Sequence, residues 1–210
     1  MSAEAEVKTL RRDAAENRQR LLDAASQVFA EHGLDGSVDE VARVAGVGMG
    51  TLYRRFPTKE ALIGELVRQL LEELVALARQ SLTVADGCGL EQYLFELAAA
   101  QNTQRGCLAK LWNDDESVAI KNECHDLIGE LLIDAQAHQR IRADANLSDI
   151  DILLWSLPGV IATAKDSGDA AWRRHVAIFL AGLRPTEVPL NEPALTLDQA
   201  NAIRLRRLGR

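Results

Sequence analysis

Hydrophobic residues recur every three or four positions along most of the chain, which is the spacing of amphipathic α-helices. Near the amino terminus such a stripe predicts a helix over 19–32, formed by Leu21, Leu22, Ala25, Val28 and Phe29. Gly33 ends it, and Ser37-Val38-Asp39-Glu40 has the form of a capping box that starts a short second helix ending at Ala45. Residues 46–48 predict a turn, residues 49–55 a third helix, and Pro57 stops that helix.

The remaining two thirds of the chain also have helical periodicity. Thr58 opens a long helix with leucines 62, 66, 70, 74 and 77 on one side. Further helices are predicted over 90–101, 108–112, 120–135, 148–165 and 170–183, with a kink at Pro158 because proline lacks a backbone donor. Prolines 185, 189 and 193 predict a loosely attached tail, within which 196–208 is a candidate helix. No strand alternation occurs, so the predicted class is all-α.

Composition and charge narrow the range of functions. The 210 residues are 47% hydrophobic, enough for a buried core. The formal net charge is −7, but the first sixty residues carry nine basic against ten acidic side chains, so most of the acidity lies in the remainder. An acidic body repels DNA except at a local basic face. Cysteines 88, 107 and 124 are odd in number and widely spaced, which favours reduced thiols, and the absence of an apolar leader or span predicts a cytoplasmic protein without membrane association.

Two helices joined by a tight glycine-containing turn predict a helix-turn-helix, whose second helix enters the major groove of DNA. Its small core is predicted to be Val41, Ala42, Ala45, Val47, Leu52 and Phe56. The third helix would then present Met49, Gly50, Thr51, Tyr53, Arg54 and Arg55 outward or laterally. Gly48 and Gly50 leave the backbone open to a phosphate. The alternative is that the arginines are solvated and Tyr53 packs, but the agreement of turn, cap and register favours DNA contact.

Residues 41–62, VARVAGVGMGTLYRRFPTKEAL, resemble the DNA-binding region of the tetracycline-repressor (TetR) family. The resemblance covers about 17–67 and elsewhere extends only to the helix count and to the ending at 172–185. It implies that Tyr53 and Lys59 hold phosphates, that Met49, Gly50 and Thr51 face bases, and that Ser37 touches the DNA backbone. Two residues depart from the family pattern. Gly48 replaces the usual serine or threonine cap at a cost of a few tenths of a kcal/mol, and Arg55 replaces the usual histidine or tyrosine. The predicted DNA-binding residues are Ser37, Arg43, Gly48, Met49, Gly50, Thr51, Tyr53, Arg54, Arg55 and Lys59.

The resemblance also implies a domain plan in which a helix-turn-helix domain precedes a helical ligand-binding and dimerisation domain. The predicted parts are a flexible arm over 1–16, the DNA-binding domain over 17–60, the ligand-binding and dimerisation domain over 61–183 and a tail over 184–210. A largely apolar effector pocket is predicted at Leu66, Leu70, Leu97, Gln101, Asn102, Trp112, Asn113, Leu127, Leu131 and Trp155. Homodimer contacts are predicted at Ile161, Trp172, Val176, Phe179 and Leu180. Packing of the same side chains within one subunit is the alternative.

The sequence does not favour an enzyme, a cofactor or a metal site. Cys124 and His125 are adjacent, but neighbours on a helix point about 100° apart and no second pair has ligand spacing. Phosphate-cradling glycine loops, nucleophile elbows and paired-carboxylate motifs are not found. The predicted function is a ligand-responsive repressor that leaves a palindromic DNA operator when a small hydrophobic or amphipathic effector binds. The rival hypothesis is an interaction module or enzyme that carries an incidental helix-turn-helix.

Overall fold

The structure is a computed structural model that describes residues 3–103, 115–164 and 168–207. In these ranges the chain is helical, with no strand, and divides into two compact units at residues 69 and 70. The helices are α1 (Ala3–His32), α2 (Val38–Ala45), α3 (Met49–Arg55), α4 (Lys59–Ser81), α5 (Gly89–Thr103), α6 (Asp115–Ala137), α7 (Leu147–Thr163), α8 (Ala170–Gly182) and α9 (Leu197–Arg207). The all-α prediction is confirmed, while the predicted helix over 108–112 and Cys107 lie outside the described residues.

The first unit is built on α1. The predicted apolar stripe of this helix is buried at all five of its positions. Gly36, in the connection to α2, packs so closely on α1 that an added Cβ would lie 2.9 Å from Val28 Cγ1. The helix starts at Ala3, where a flexible arm over 1–16 was expected. Residues 3–16 are rich in alanine, glutamate and arginine, which are strong helix formers, and these continue the helix toward the amino terminus.

The second unit is held by one hydrophobic core. Its largest fully buried side chains include Tyr93, Leu131, Leu153 and Trp172, contributed by α5, α6, α7 and α8 respectively. Asn146 starts α7 through a capping box with Asp149, and the helix runs through Pro158 to Thr163. The helical pattern of the sequence therefore places its apolar stripes correctly on these four helices.

The carboxy-terminal segment is attached at two places, contrary to the loose tail expected from the sequence. Arg142 is only 7% exposed and donates hydrogen bonds to the Asp144 carboxylate at 2.8 Å and to the Val188 carbonyl at 2.6 Å. Further along, Arg204 of α9 donates to Asn122 of α6 at 2.9 Å. A buried guanidinium requires hydrogen-bond partners, and Arg142 obtains one of them from the segment after α8.

The contact with Arg142 changes the acidity of its partner. Hydrogen bonds from the Arg142 guanidinium and from the backbone N–H of Leu190 lower the pKa of Asp144 to about 2. Asp144 thus remains charged over most of the pH range and continues to accept hydrogen bonds from Arg142 and from Leu190 of the carboxy-terminal segment. None of the described helices is long and apolar enough to cross a lipid bilayer.

Candidate nucleic-acid interface

The turn between α2 and α3 is fixed by a glycine in the left-handed conformation. Gly46 has φ +67° and ψ +32°, and its N–H donates to the Arg43 carbonyl at 3.2 Å. The next N–H, of Val47, donates to the Ala42 carbonyl at 3.0 Å. This pair of bonds is a Schellman motif, which ends a helix and reverses the chain sharply. A side chain with a Cβ is disfavoured at this φ, so Gly46 determines the angle at which α3 leaves α2.

At the amino end of α2, only one of the two hydrogen bonds of the predicted capping box is present. The Ser37 hydroxyl accepts a hydrogen bond from the N–H of Asp39 at 3.1 Å. The Glu40 carboxylate, expected to complete a capping box, instead pairs with Arg43 at 3.3 Å and lies 3.6 Å from His32. The ion pair with Arg43 and the proximity of His32 thus replace the expected return bond to the Ser37 backbone.

The α3 helix has a buried side and an exposed side. Leu52 is fully buried and Phe56 nearly so, and they join Val41, Ala42 and Ala45 of α2 in the predicted core. Between them Tyr53 is 45% exposed, and Arg54 and Arg55 are also exposed. Val47 is half-buried, so the core prediction is confirmed at five of its six positions. The register of α3 therefore directs its aromatic hydroxyl and its two arginines outward.

The remaining predicted DNA-binding residues are either exposed or half-buried. Ser37, Arg43, Gly48 and Gly50 are exposed, whereas Met49, Thr51 and Lys59 are half-buried. A Cβ added to Gly48 or Gly50 would meet nothing within 4 Å. The fold itself thus leaves open space over both glycines. Gly48 caps α3 without a side-chain hydrogen bond, as its lack of a side chain requires.

Lys59 is positioned by the packing of α4 on α1. The Thr58 hydroxyl caps α4 by accepting the N–H of Ala61 at 3.1 Å, and Glu65 of α4 pairs with both Arg18 of α1 and Arg68. These contacts place the Lys59 ammonium 5.7 Å from the centroid of the Phe29 ring. The first turn of α4 therefore presents a cation immediately after the helix-turn-helix.

Comparison with known proteins identifies the family. The family model described as "Bacterial regulatory proteins, tetR family" matches residues 21–66. A TetR transcription regulatory protein from Mycobacterium vanbaalenii is 35% identical to the chain, with a TM-score of 0.61, and the match covers 83% of this chain and 99% of that protein. The chain belongs to the TetR family of bacterial transcriptional regulators. The TetR regulator SCO0520 from Streptomyces coelicolor is 31% identical, with a TM-score of 0.61, and is covered over 99% of its length and 80% of this chain.

Curated transcriptional regulators match the chain over a shorter stretch. The HTH-type transcriptional regulator SAB2452 from Staphylococcus aureus is 38% identical over 72 residues. That match covers 34% of this chain and 39% of the relative. The curated likeness therefore supports the family assignment, and the family consists of regulators without enzymatic activity.

The residues predicted for the effector pocket of this TetR protein occupy different environments. Leu97, Leu127 and Leu131 lie in the hydrophobic core of the second unit, whereas Leu66 is buried within the first. Leu70, Trp155, Gln101 and Asn102 are half-buried. Asn102 donates to Asp169 at 3.0 Å, but within the described part of the chain the buried Gln101 Oε1 has no hydrogen-bond partner. Trp112 and Asn113 lie outside the described residues.

Most residues predicted for the dimer interface are buried within the subunit. Ile161, Trp172, Val176 and Leu180 all belong to the core of the second unit, and Phe179 packs against that core while remaining half-buried. Trp172 also donates its indole N–H to Asp169 at 3.1 Å. Since these side chains already pack inside one subunit, they have little surface left for a partner. Ile152 of α7 and Ile178 of α8 are the exposed isoleucines on these two helices, 44% and 58% respectively, and sequence analysis did not single them out.

Two polar contacts of α6, one buried and one partly buried, were not predicted from the sequence. The Tyr93 hydroxyl lies 2.9 Å from the Cys124 sulfur, and burial raises the pKa of both groups, so both stay neutral. His125 Nε2 lies 3.2 Å from Asp151 of α7, and its other ring nitrogen lies 3.3 Å from Arg204 of α9. Cys124 and His125 are thus directed to different partners, as their adjacent positions on a helix imply. The described Cys88 and Cys124 are free thiols.

Proposed function

We propose that this TetR-family protein is a homodimeric repressor that binds a palindromic operator in double-stranded DNA and is released by a small hydrophobic or amphipathic effector. The proposal rests on the observation that α3 has a buried side and an exposed side. Leu52 is buried, while Tyr53, Arg54 and Arg55 are exposed. A helix held on one side and exposing hydroxyl and guanidinium groups on the other is suited to the major groove. A cytoplasmic location is part of the proposal.

The proposed contacts divide into those that read bases and those that hold phosphates. Met49 and Thr51 lie at the start of α3, where a methyl contact and a hydroxyl hydrogen bond reach base edges. Tyr53, Lys59 and Ser37 donate to phosphates and set the register. The open space over Gly48 and Gly50 allows the DNA backbone to approach the protein backbone there. The remaining members of the set are Arg43, Arg54 and Arg55. The two arginines of α3 supply local positive charge, whereas Arg43 pairs with Glu40.

The operator proposal is tested with two substitutions that leave the core intact. Tyr53→Ala and Lys59→Ala are each expected to abolish retention of a palindromic fragment in a gel-shift assay while the helical circular dichroism is unchanged. Arg79→Ala, an exposed arginine of the second unit that pairs with Glu123, serves as the control and should bind normally. Wild-type affinity in both test variants would remove the assigned contacts. Failure of the wild type to enrich any sequence from random genomic fragments would favour the interaction-module hypothesis.

A homodimer follows from the need to read two half-sites about 34 Å apart, or a simple multiple of that distance. Phe179 is the one predicted interface residue that retains exposed surface. The exposed Ile152 and Ile178 extend the proposed interface along α7 and α8. A second copy that covers these side chains removes apolar surface from water on both subunits, as in a symmetric isologous contact.

The dimer proposal has a matched pair of variants. Ile178→Asp places a charge in the proposed interface and should convert the dimer to a monomer in light scattering coupled to gel filtration. Ile133→Asp, at a 67% exposed isoleucine on α6, makes the same chemical change outside the proposed interface and should leave the dimer intact. Dissociation by Ile133→Asp but not by Ile178→Asp would place the interface on another surface.

Effector release is proposed to act through α4. This single helix begins at Lys59, one of the proposed phosphate contacts, and its last three turns belong to the second unit. A ligand that tilts α4 changes the separation of the two reading helices in a dimer. An effector that prefers the released arrangement by about 1–3 kcal/mol shifts operator occupancy several-fold or more.

The buried Gln101 Oε1 supports a polar anchor for the effector. It has no partner among the described residues, and an unpaired buried carbonyl is stabilised when a ligand donates a hydrogen bond to it. Gln101→Leu should therefore retain operator binding but lose release by the effector. Mass spectrometry of molecules that co-purify with the wild type, and are absent from the variant, identifies that effector. Unchanged recovery from Gln101→Leu would exclude this anchor.

A further inference from the structure

A cleft in the second unit lies beside the connection between α4 and α5. Its volume of ≈ 670 Å³ falls within the range of about 300–1,000 Å³ that small-molecule sites occupy. Leu77, Val84 and Phe95 line it and are only partly buried, so the cleft has an apolar wall that faces solvent. It is a different place from the predicted effector pocket, since none of the described residues of that pocket lines it.

The loops at one end of the cleft are held in unusual backbone conformations. Asp86 and Gln139 are the non-glycine residues with positive φ in the described chain. Gln139 directly precedes Arg140, and Asp86 lies two residues before Cys88, and both Arg140 and Cys88 line the cleft. The two loops pack so tightly that a Cβ added to Gly87 would lie 2.6 Å from Cβ of His138. Such conformations persist only where the surroundings fix them. The end of the cleft near Arg140 is therefore preformed.

Among the described residues that line the cleft, Arg140 is the basic side chain that has no carboxylate partner. Arg140 donates from Nε to the Asp86 carbonyl at 2.9 Å, which fixes the guanidinium, and no described residue pairs with its terminal nitrogens. Arg184 also lines the cleft, but Glu91 accepts its hydrogen bond at 2.6 Å and neutralises it. A fixed guanidinium with unoccupied terminal nitrogens is suited to a carboxylate, which it binds through two parallel hydrogen bonds.

The opposite end of the cleft is acidic. Glu96 lines the cleft eight residues after Cys88, which corresponds to about 12 Å along α5. Arg140 is bonded to the Asp86 carbonyl, two residues before Cys88, and therefore marks the other end. A ligand that spans this length has Arg140 near one end and Glu96 near the other, with Leu77, Val84 and Phe95 also lining the cleft.

We propose that this cleft binds an amphipathic monocarboxylate, with its carboxylate on Arg140 and its hydrocarbon chain against Leu77, Val84 and Phe95. A second carboxylate at the far end of the ligand is repelled by Glu96, so the site discriminates against dicarboxylates of the same length. This site is additional to the operator release proposed above, and its test does not depend on DNA binding.

Cys88 makes binding measurable because its partly exposed thiol lines the cleft. Cys124 is buried and hydrogen-bonded to Tyr93, so it should react slowly with N-ethylmaleimide. In a chain that carries Cys107→Ser, Cys88 is then the thiol that this reagent modifies rapidly. Octanoate at ten times its Kd, obtained by isothermal titration calorimetry, should slow this modification about tenfold. Octanedioate and 1-octanol at the same concentration should protect far less. No protection by octanoate would overturn the proposal.

Three variants test the assigned ends of the cleft. Arg140→Gln should raise the Kd for octanoate about ten- to a hundredfold, because a charged hydrogen-bond donor is lost, while Arg79→Gln, outside the cleft, should change nothing. Glu96→Gln should allow octanedioate to protect Cys88 as well as octanoate does, a gain of binding that a misfolded chain does not produce. Equal affinity of octanoate for wild type and Arg140→Gln, or continued exclusion of octanedioate by Glu96→Gln, would refute the assignment.

Discussion

The substitution Lys59→Gln separates the proposed electrostatic role of this side chain from its structural role. In the fold the Lys59 ammonium lies 5.7 Å from the Phe29 ring centroid, a cation–π contact that contributes about 0.5–1 kcal/mol. Its removal should lower the melting temperature by about 1–4 °C. On DNA, each neutralised phosphate contributes about 0.9 to the slope of log K against log salt, so a dimer that loses two contacts should bind with a slope shallower by about 1.8.

The assay is operator titration by fluorescence anisotropy at several salt concentrations. A slope change of about 1.8 makes the loss of affinity about tenfold greater at 50 mM than at 200 mM salt. Lys59→Arg should retain the wild-type slope, and Arg79→Gln, whose partner is Glu123, should leave it unchanged. If Lys59→Gln weakens binding equally at every salt concentration, Lys59 does not neutralise a phosphate and its effect is structural.

Two further predictions concern stability and pH. Gly89→Ala places a Cβ 2.1 Å from the Ser81 carbonyl oxygen and should lower the free energy of unfolding, measured in urea, by about 1–3 kcal/mol. Gly64 of α4 has open space around it, so Gly64→Ala should raise the free energy of unfolding by about 0.5–1 kcal/mol. Equal stability of the two variants would contradict this packing. Arg142 lowers the pKa of Asp144 to about 2. The ionised Asp144 therefore stabilises the attachment of the carboxy-terminal segment fully above the ordinary aspartate pKa near 4, and this stabilisation is lost as the pH falls through about 2. Pepsin cleavage of the segment should accordingly increase as the pH is lowered from about 4 to about 2. Asp144→Asn should remove this pH dependence, and an unchanged profile would show that the segment is held elsewhere.

The helix-turn-helix could be predicted at most of its residues because its determinants are local. The left-handed position at Gly46, the serine cap at Ser37 and the apolar spacing of Val41, Leu52 and Phe56 all act within one or two helical turns. Short-range hydrogen bonds and the helical repeat then fix which α3 residues remain exposed. The predicted DNA-binding set and the structure consequently agree in placing Tyr53, Arg54 and Arg55 outward.

The second unit could be predicted only as a succession of helices. Apolar residues such as Trp172 and Val176 have the same periodicity whether they pack inside a subunit or against a partner, so the pattern alone did not distinguish the two environments. Likewise, the cation proposed for the cleft, Arg140, lies 52 residues from Cys88 in sequence and reaches it only through the packing of two loops.

The amino-acid sequence by itself thus determined the described helices from residue 19 onward, their buried stripes and the family to which the chain belongs. Only the tertiary structure decided that Arg142 bonds to the carboxy-terminal segment and that the buried oxygen of Gln101 has no hydrogen-bond partner among the described residues. It also decided which of the apolar residues of α7 and α8 remain exposed. The physical reason is range: caps and helical stripes depend on neighbours three or four residues away, whereas partners and cavities depend on side chains brought together from distant parts of the chain.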